Sequence, residues 1–188
     1  MDCQTPKEQL SVRVVLRSVV TAAALSLVCV GLFSCRGVDW FLLKRSLHGK
    51  FSGIDWITTR QLADWLAEKN RPQPVLLDVR TLSEWKVSHL PGARQVDPKA
   101  DAESAAGGLA KAAPIVTYCS VGYRSGAMAK RLQTAGYTHV QNLEDLIFQW
   151  ANERRMLVHD GKRTYRVHPY DAFWGRLLEP EVRAAALP

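Results

Sequence analysis

Short apolar runs alternate with amphipathic stretches along most of the chain beyond residue 54. The runs are continuous rather than alternating, which is typical of strands buried on both faces of a sheet. They lie at residues 75–79, 93–96, 115–119 and 139–143, and the run at 93–96 is the weakest. Strands that alternate with helices predict an α/β fold with a mostly parallel sheet and helices on both faces.

Two sequence pairs mark the starts of helices between these runs. Thr58 is followed three residues later by Gln61, and Thr81 is followed three residues later by Glu84. Each pair has the spacing of a capping box, in which two side chains satisfy the free N–H groups of the first helical turn. Residues 145–152 are expected to form a last helix after the final strand.

A separate apolar run at residues 18–34 follows basic residues at the N-terminus. Its length lies between a signal-peptide core and a bilayer span. It ends in LFSC (32–35), which resembles a bacterial lipobox in which Cys35 would be acylated. An uncleaved anchor helix is the alternative. Either way we expect a membrane-tethered protein of the cell envelope with its domain in the periplasm. Basic residues flank the run on both sides, so the positive-inside rule gives no orientation here.

These patterns predict four regions. Residues 1–35 form the signal or anchor segment, 36–53 a linker, 54–155 the folded domain, and 156–188 an extension that packs on it. About 150 residues remain beyond the N-terminal segment, enough for one domain with its own core.

The chain of 188 residues carries a formal net charge of +7. Its basic residues are scattered, without a lysine and arginine run interleaved with aromatics, so we do not expect nucleic-acid binding. The charge instead favours attraction of small anions or of an anionic membrane surface.

Of the four cysteines, Cys3, Cys29 and Cys35 belong to the N-terminal segment. Cys119 is therefore the only cysteine of the folded domain, which excludes an internal disulfide and a cysteine-based metal site there. We expect no metal and no organic cofactor. A lone thiol at the end of a strand is either inert core or a nucleophile.

Cys119 ends the apolar run at 115–119, and Asp78 lies near the end of a second run. Ligand sites of parallel sheets form at this edge. A loop follows Cys119, with the residues Ser120, Val121, Gly122, Tyr123 and Arg124. We call this loop, 120–124, the cradle, because its N–H groups are expected to surround the sulfur as a nest. A helix N-terminus and the Arg124 charge would add to this field, which favours a thiolate.

The anion held by the cradle has two candidate forms, a persulfide and a phosphocysteine. Four residues separate Cys119 from Arg124. The corresponding loop of cysteine-dependent phosphatases is one residue longer and encloses a tetrahedral phosphate. The shorter loop favours one additional sulfur atom.

Three segments resemble the motifs of rhodanese-like domains, in the family's order and spacing. They are LLDVRTLSEWKVSHLPGA (76–93), YCSVGYRS (118–125) and VQNLEDLIFQWA (140–151). The resemblance covers roughly residues 54–155. One departure is Glu144-Asp145, which stands where the family has small residues or glycine.

The resemblance implies a sulfurtransferase. Cys119 would take a sulfur from a small sulfur-containing anion such as thiosulfate, or from a persulfide, and pass it to a thiol or to cyanide. The alternatives are a rhodanese-like binding or redox-sensing module with little turnover and, less in keeping with the loop, a phosphatase or arsenate reductase.

Further polar residues are candidates for supporting roles. We expect Arg80 to pair with Glu84, Asp78 to hold neighbouring backbone N–H groups, and His89 to be structural rather than a general base. Arg124 either binds the anionic donor or braces the loop.

Two cradle side chains and one distant histidine complete the candidates. Ser120 and Tyr123 are expected at the mouth of the cradle, where they would tune the access of the acceptor or simply face solvent. His168, in the extension, is a further candidate for a position near the site.

Overall fold

A computed structural model describes residues 40–185. The chain divides into two compact units, Met1–Leu42 and Leu43–Pro188, and the elements below lie in the second unit except for residues 40–42 at the start of the first helix. The predicted signal, anchor and Cys35 lipidation features fall within 1–39, outside the described residues, and stay predictions. Within the described part, no helix is both long enough and apolar enough to cross a bilayer.

Five parallel strands form the central sheet in the order β1-β5-β4-β2-β3. The strands are β1 (Asp55–Ile57), β2 (Val75–Asp78), β3 (Arg94–Gln95), β4 (Ile115–Tyr118) and β5 (Val140–Leu143). The central strand β4 is buried along its whole length. The parallel α/β architecture predicted from the sequence is therefore confirmed, and the carboxyl ends of the strands meet at one edge.

Helices cover both faces of this sheet. They are α1 (40–50), α2 (Thr59–Ala67), α3 (Leu82–Val87), α4 (Ala102–Ala106), α5 (Tyr123–Thr134) and α6 (Leu146–Asn152). Helix α4 contacts α5, and α2 contacts α6. The core on the α4–α5 side includes Leu77 and Ile115, whereas their strand neighbours Leu76 and Val116 are buried outside that cluster. This alternation follows from the two-residue period of a strand.

Both predicted capping boxes are present. The Thr58 hydroxyl accepts from the Gln61 N–H at the start of α2, and the Thr81 hydroxyl accepts from the Glu84 N–H at the start of α3. The sequence pattern missed β1, which is three residues long, and α4, whose alanine-rich stretch has too little apolar contrast to reveal a buried face.

The structure corrects the prediction that residues 36–53 are only a linker. Residues 40–50 are helical, and Leu47 and Phe51 are 3% and 8% exposed within the core. Phe51 lies against Gly126 of α5, where an added Cβ would meet its ring at 2.6 Å. Burial of apolar surface against α5 therefore makes the end of α1 part of the folded domain.

The segment beyond α6 forms a hairpin of β6 (Leu157–His159) and β7 (Lys162–Thr164), with a turn at Asp160 and Gly161. An Asp-Gly pair is a strong turn signal, and it occupies the turn of this hairpin. A β-bridge joins Val158 to His89. The later buried residues of this segment are Val167, Pro169, Gly175, Leu177, Leu178 and Val182.

Candidate active site

Cys119 directly follows β4 at the carboxyl edge of the sheet and is fully buried. Its Sγ accepts a hydrogen bond from the Gly122 N–H at 3.0 Å and another from the Ser125 hydroxyl at 3.4 Å. Both donors lie at the start of α5, a helix of 12 residues whose N-terminus carries partial positive charge. The sulfur therefore occupies a position suited to an anion.

Gly122 gives the cradle its sharp turn. Its φ of +84° lies in the left-handed region, which glycine adopts without steric cost. A Cβ at this position would lie 2.5 Å from Leu47 Cδ1 and 2.9 Å from Leu146 Cδ2. Helix α1 and the start of α6 thus lie directly against the cradle, and both the turn and the contact require glycine.

Leu146 is itself an exception to the same rule. It has a φ of +62° although it is not a glycine, and it is fully buried. Its N-terminal neighbours Glu144 and Asp145 depart from the family pattern noted above. Lys44 of α1 forms ion pairs with both of these carboxylates. This departure therefore coincides with the contact between α1 and the start of α6.

Arg124 is held in place by Glu84 from α3. Its Nη1 and Nη2 donate to the two carboxylate oxygens of Glu84 at 2.7 and 2.8 Å, and the Ser120 hydroxyl donates to Glu84 Oε1 at 2.5 Å. Glu84 is 2% exposed. We refer to this contact as the Glu84–Arg124 pair. It ties the cradle to α3, so the geometry favours the bracing role among the two that the sequence left open.

The charge state of the pair follows from its surroundings. Burial disfavours ionisation of Glu84, but the hydrogen bonds from Arg124 and Ser120 outweigh it and lower the Glu84 pKa to about 2. Burial likewise opposes the charge on Arg124, yet the hydrogen bond with Glu84 leaves the Arg124 pKa above its ordinary value. Both groups are therefore charged at neutral pH.

The prediction that Arg80 pairs with Glu84 is wrong. Arg80 is fully buried and donates to Asp78, at 2.8 Å from Nε and 2.5 Å from Nη2, and to the Ser88 carbonyl at 2.6 Å. Asp78 also accepts from the Arg80 backbone N–H, as expected. A fully buried pair, Arg80–Asp78, and a partly buried pair, Arg124–Glu84, thus replace the single predicted one.

The remaining candidates occupy distinct positions. His89 stacks on Trp85, with ring centroids 3.5 Å apart, and burial lowers its pKa, so it braces α3 without contacting Cys119. Within the cradle, Tyr123 is 51% exposed and Val121 is partly exposed, whereas Ser120 is fully buried, so the expectation that Ser120 lies at the mouth or faces solvent is wrong. No group of three or more metal-ligating side chains is arranged to hold an ion within residues 40–185.

Two contributors escaped the sequence interpretation. Ser125 lies just after the cradle and was not among the candidates, although its hydroxyl reaches Sγ. Tyr170 comes from the C-terminal extension, and its ring centroid lies 4.9 Å from Arg124 Cζ. His168 of the same segment interacts electrostatically with Glu84 and Arg124, while burial lowers its pKa. His168 was a candidate from the sequence, whereas no local pattern in the extension signals the contact of Tyr170.

The order of these features along the chain matches a known domain type. The sequence model of the rhodanese-like domain family matches residues 58–153, a little over half of the chain. The chain belongs to the rhodanese-like domain family. Helix α1 and the extension after α6 lie outside the matched residues, so both contacts that they make with the cradle are additions to the matched rhodanese-like domain.

Known proteins with a similar rhodanese-like domain include one with a named transferase activity. The probable adenylyltransferase/sulfurtransferase MoeZ of Mycobacterium tuberculosis is 36% identical over 100 residues, which are 52% of this chain and 24% of MoeZ. The chain thus spans about a quarter of the length of that curated relative.

Solved structures bear on the fold. The rhodanese-like domain of the Alr3790 protein from Anabaena aligns with a TM-score of 0.51 and 21% identity, over 56% of this chain and 80% of that one. The BH2092 protein from Bacillus halodurans aligns with a TM-score of 0.50 and 23% identity, over 62% of this chain and 84% of that one.

Replacing Gly122 tests how the rhodanese-like cradle is built. Gly122→Ala adds a Cβ in a left-handed turn and against Leu47, whereas Gly136→Ala adds one at a φ of +91° with nothing within 4 Å. We expect Gly136→Ala to cost about 1–2 kcal/mol of unfolding free energy, and Gly122→Ala to cost clearly more. Urea unfolding measures both values. In a Leu47→Ala background the cost of Gly122→Ala should shrink, and an equal cost in both backgrounds would contradict the proposed contact.

The low pKa of Glu84 predicts a pH-dependent contribution to stability. Its folded value of about 2 lies below the ordinary 4.5, so the contribution is present above pH 4.5 and is lost as pH falls toward 2. The stability difference between wild type and Glu84→Gln should therefore shrink by roughly 2–3 kcal/mol over this range. Urea unfolding at several pH values measures it. Glu103→Gln is the control, because the Glu103 pair with Lys111 is exposed. If the stability difference between wild type and Glu84→Gln depends on pH no more than that of Glu103→Gln, the low pKa of Glu84 is refuted.

Proposed function

We propose that this protein is a thiol sulfurtransferase that carries sulfur as a persulfide on Cys119. The observation that carries the proposal is the hydrogen bonding of Cys119 Sγ by the Gly122 N–H and the Ser125 hydroxyl at the start of α5. These donors can stabilise negative charge on a sulfur atom in both the thiolate and the persulfide form.

In the first step the Cys119 thiolate attacks the outer sulfur of thiosulfate. A new S–S bond forms, the S–S bond of thiosulfate breaks, and sulfite leaves with the electron pair. Total charge is conserved, because one thiolate and one dianion become one persulfide anion and one dianion. Gly122 and Ser125 hold the sulfur while it reacts, and their donors need no rearrangement.

In the second step an acceptor thiolate or cyanide attacks the terminal sulfur of the persulfide. The S–S bond breaks, Cys119 is restored as a thiolate, and the product is an organic persulfide or thiocyanate. The two steps balance in atoms and charge without a metal or organic cofactor. This is a covalent, two-step mechanism in which the enzyme carrying the Cys119 persulfide is the intermediate.

The Glu84–Arg124 pair distinguishes this proposal from phosphate chemistry. Phosphoryl transfer needs cationic donors directed at the three phosphate oxygens. Here two nitrogens of Arg124 donate to Glu84, and the short cradle closes on the sulfur. The arrangement therefore supports an acceptor site for one sulfur atom, and Arg124 acts as a brace that keeps the cradle closed.

Persulfide formation gives a direct test. The full chain with Cys3, Cys29 and Cys35 changed to serine is incubated with thiosulfate, and its intact mass is measured before and after cyanide. We expect the mass of one additional sulfur atom, removed by cyanide as thiocyanate.

The Cys119→Ser variant of the same background is the control and should gain nothing. If the parent protein gains no sulfur, the domain instead acts as a binding or redox-sensing module. Hydrolysis of a phosphate ester that depends on Cys119 would favour the phosphatase alternative.

A further inference from the structure

Tyr170 brings an aromatic ring from outside the family core to the active-site arginine. Its ring centroid lies 4.9 Å from Arg124 Cζ, a cation–π distance, while 43% of the residue stays exposed. The rhodanese-like match ends at residue 153. One part of the ring therefore contacts the Glu84–Arg124 pair and the rest faces solvent.

The backbone of Tyr170 is held in an unfavourable conformation. Its φ of +67° lies in the left-handed region, which bulky residues rarely adopt. The His168 ring stabilises this turn, because its Nδ1 accepts from the Tyr170 N–H at 3.0 Å. Glycine or asparagine would fit this backbone with less strain, and an observed outlier of this kind points to a function for the side chain.

The segment that carries Tyr170 is fixed to the domain rather than loosely placed. The Ser88 hydroxyl donates to the Arg166 carbonyl at 2.6 Å, and Val167 is fully buried. Ser88 also accepts from Arg80 through its carbonyl. The extension is thus anchored to the same buried network that supports the carboxyl edge of the sheet, which gives Tyr170 a defined position.

Two partly exposed aromatic residues, Tyr123 and Tyr170, are associated with Arg124, one by sequence and one by ring contact. Tyr123, the residue before Arg124, is 51% exposed, with Lys50 Nζ 4.5 Å from its ring centroid. The charge of Arg124 is already matched by Glu84. A molecule that reaches Arg124 from solvent therefore meets the exposed part of the Tyr170 ring, and cyanide is too small to use it.

We propose that Tyr170 is a specificity-determining residue that selects acceptor thiols with an apolar or aromatic body over cyanide. The body of such a thiol would lie against the exposed part of the Tyr170 ring while its sulfur attacks the persulfide. This inference rests on the proposed sulfur transfer for its biological meaning, but the recognition itself is a property of the surface around Cys119.

Alkylation of Cys119 tests the recognition without sulfur transfer. The variant with Cys3, Cys29 and Cys35 changed to serine is treated with N-phenylmaleimide and with N-methylmaleimide. The rate constant for N-phenylmaleimide is divided by that for N-methylmaleimide. This ratio is then divided by the same ratio measured for free N-acetylcysteine. We expect a normalised ratio of about two to ten, the range of one aromatic contact. Tyr170→Ala should lower it to about one, and Tyr170→Phe should retain it.

Phe173→Ala is the matched control, because Phe173 is an exposed aromatic of the same extension that contacts Arg176. It should leave the ratio unchanged. A wild-type ratio near one, reaction with neither maleimide, or a ratio that Tyr170→Ala leaves intact would overturn the proposal.

Turnover gives the second measurement. With thiosulfate as donor, Tyr170→Ala should reduce kcat/KM for benzyl mercaptan by the same factor and change that for cyanide by less than about twofold. Equal effects on both acceptors would overturn the selection of acceptors. Absence of any turnover in the wild type would contradict the proposed function, whereas the maleimide ratio would still decide the role of Tyr170.

Discussion

The buried contact between Glu84 and Arg124 is the constraint on which the site depends. It joins α3, which follows β2, to the cradle, which follows β4, and these strands are neighbours in the sheet. Removing one member of a buried ion pair typically costs about 3–5 kcal/mol, because the other charge is left without a partner. The cradle therefore cannot move away from α3 without exposing or stranding a charge, and this keeps its donors near Cys119.

The pair also determines which interactions are left for chemistry. Arg124 is held by Glu84 and also interacts electrostatically with Cys119, so its charge adds to the field at the sulfur from the Gly122 N–H, the Ser125 hydroxyl and the N-terminus of α5. Such fixed dipoles stabilise an anion without having to reorient when the charge develops. Additions on two sides support this arrangement: α1 packs against the outer side of the cradle at Gly122, and the extension covers Arg124.

Local patterns in the sequence predicted four of the five sheet strands, the two capping boxes and the cysteine loop, because apolar runs and short-range hydrogen bonds determine those features. The partner of Arg124 was not predictable in the same way, since Glu84 is 40 residues away and reaches it only through the strand order. The same reason explains the misassigned segment before residue 54. Nothing within that segment reveals that Leu47 meets a glycine that lies beyond β4 in the sequence.

A crystal structure of the thiosulfate-treated protein tests the central claim most directly. The account predicts density for one additional atom bonded to Cys119 Sγ, within reach of the Gly122 N–H, while Arg124 stays on Glu84. An unmodified Sγ beside an intact thiosulfate, or an Arg124 side chain that leaves Glu84 to hold the anion, would contradict it.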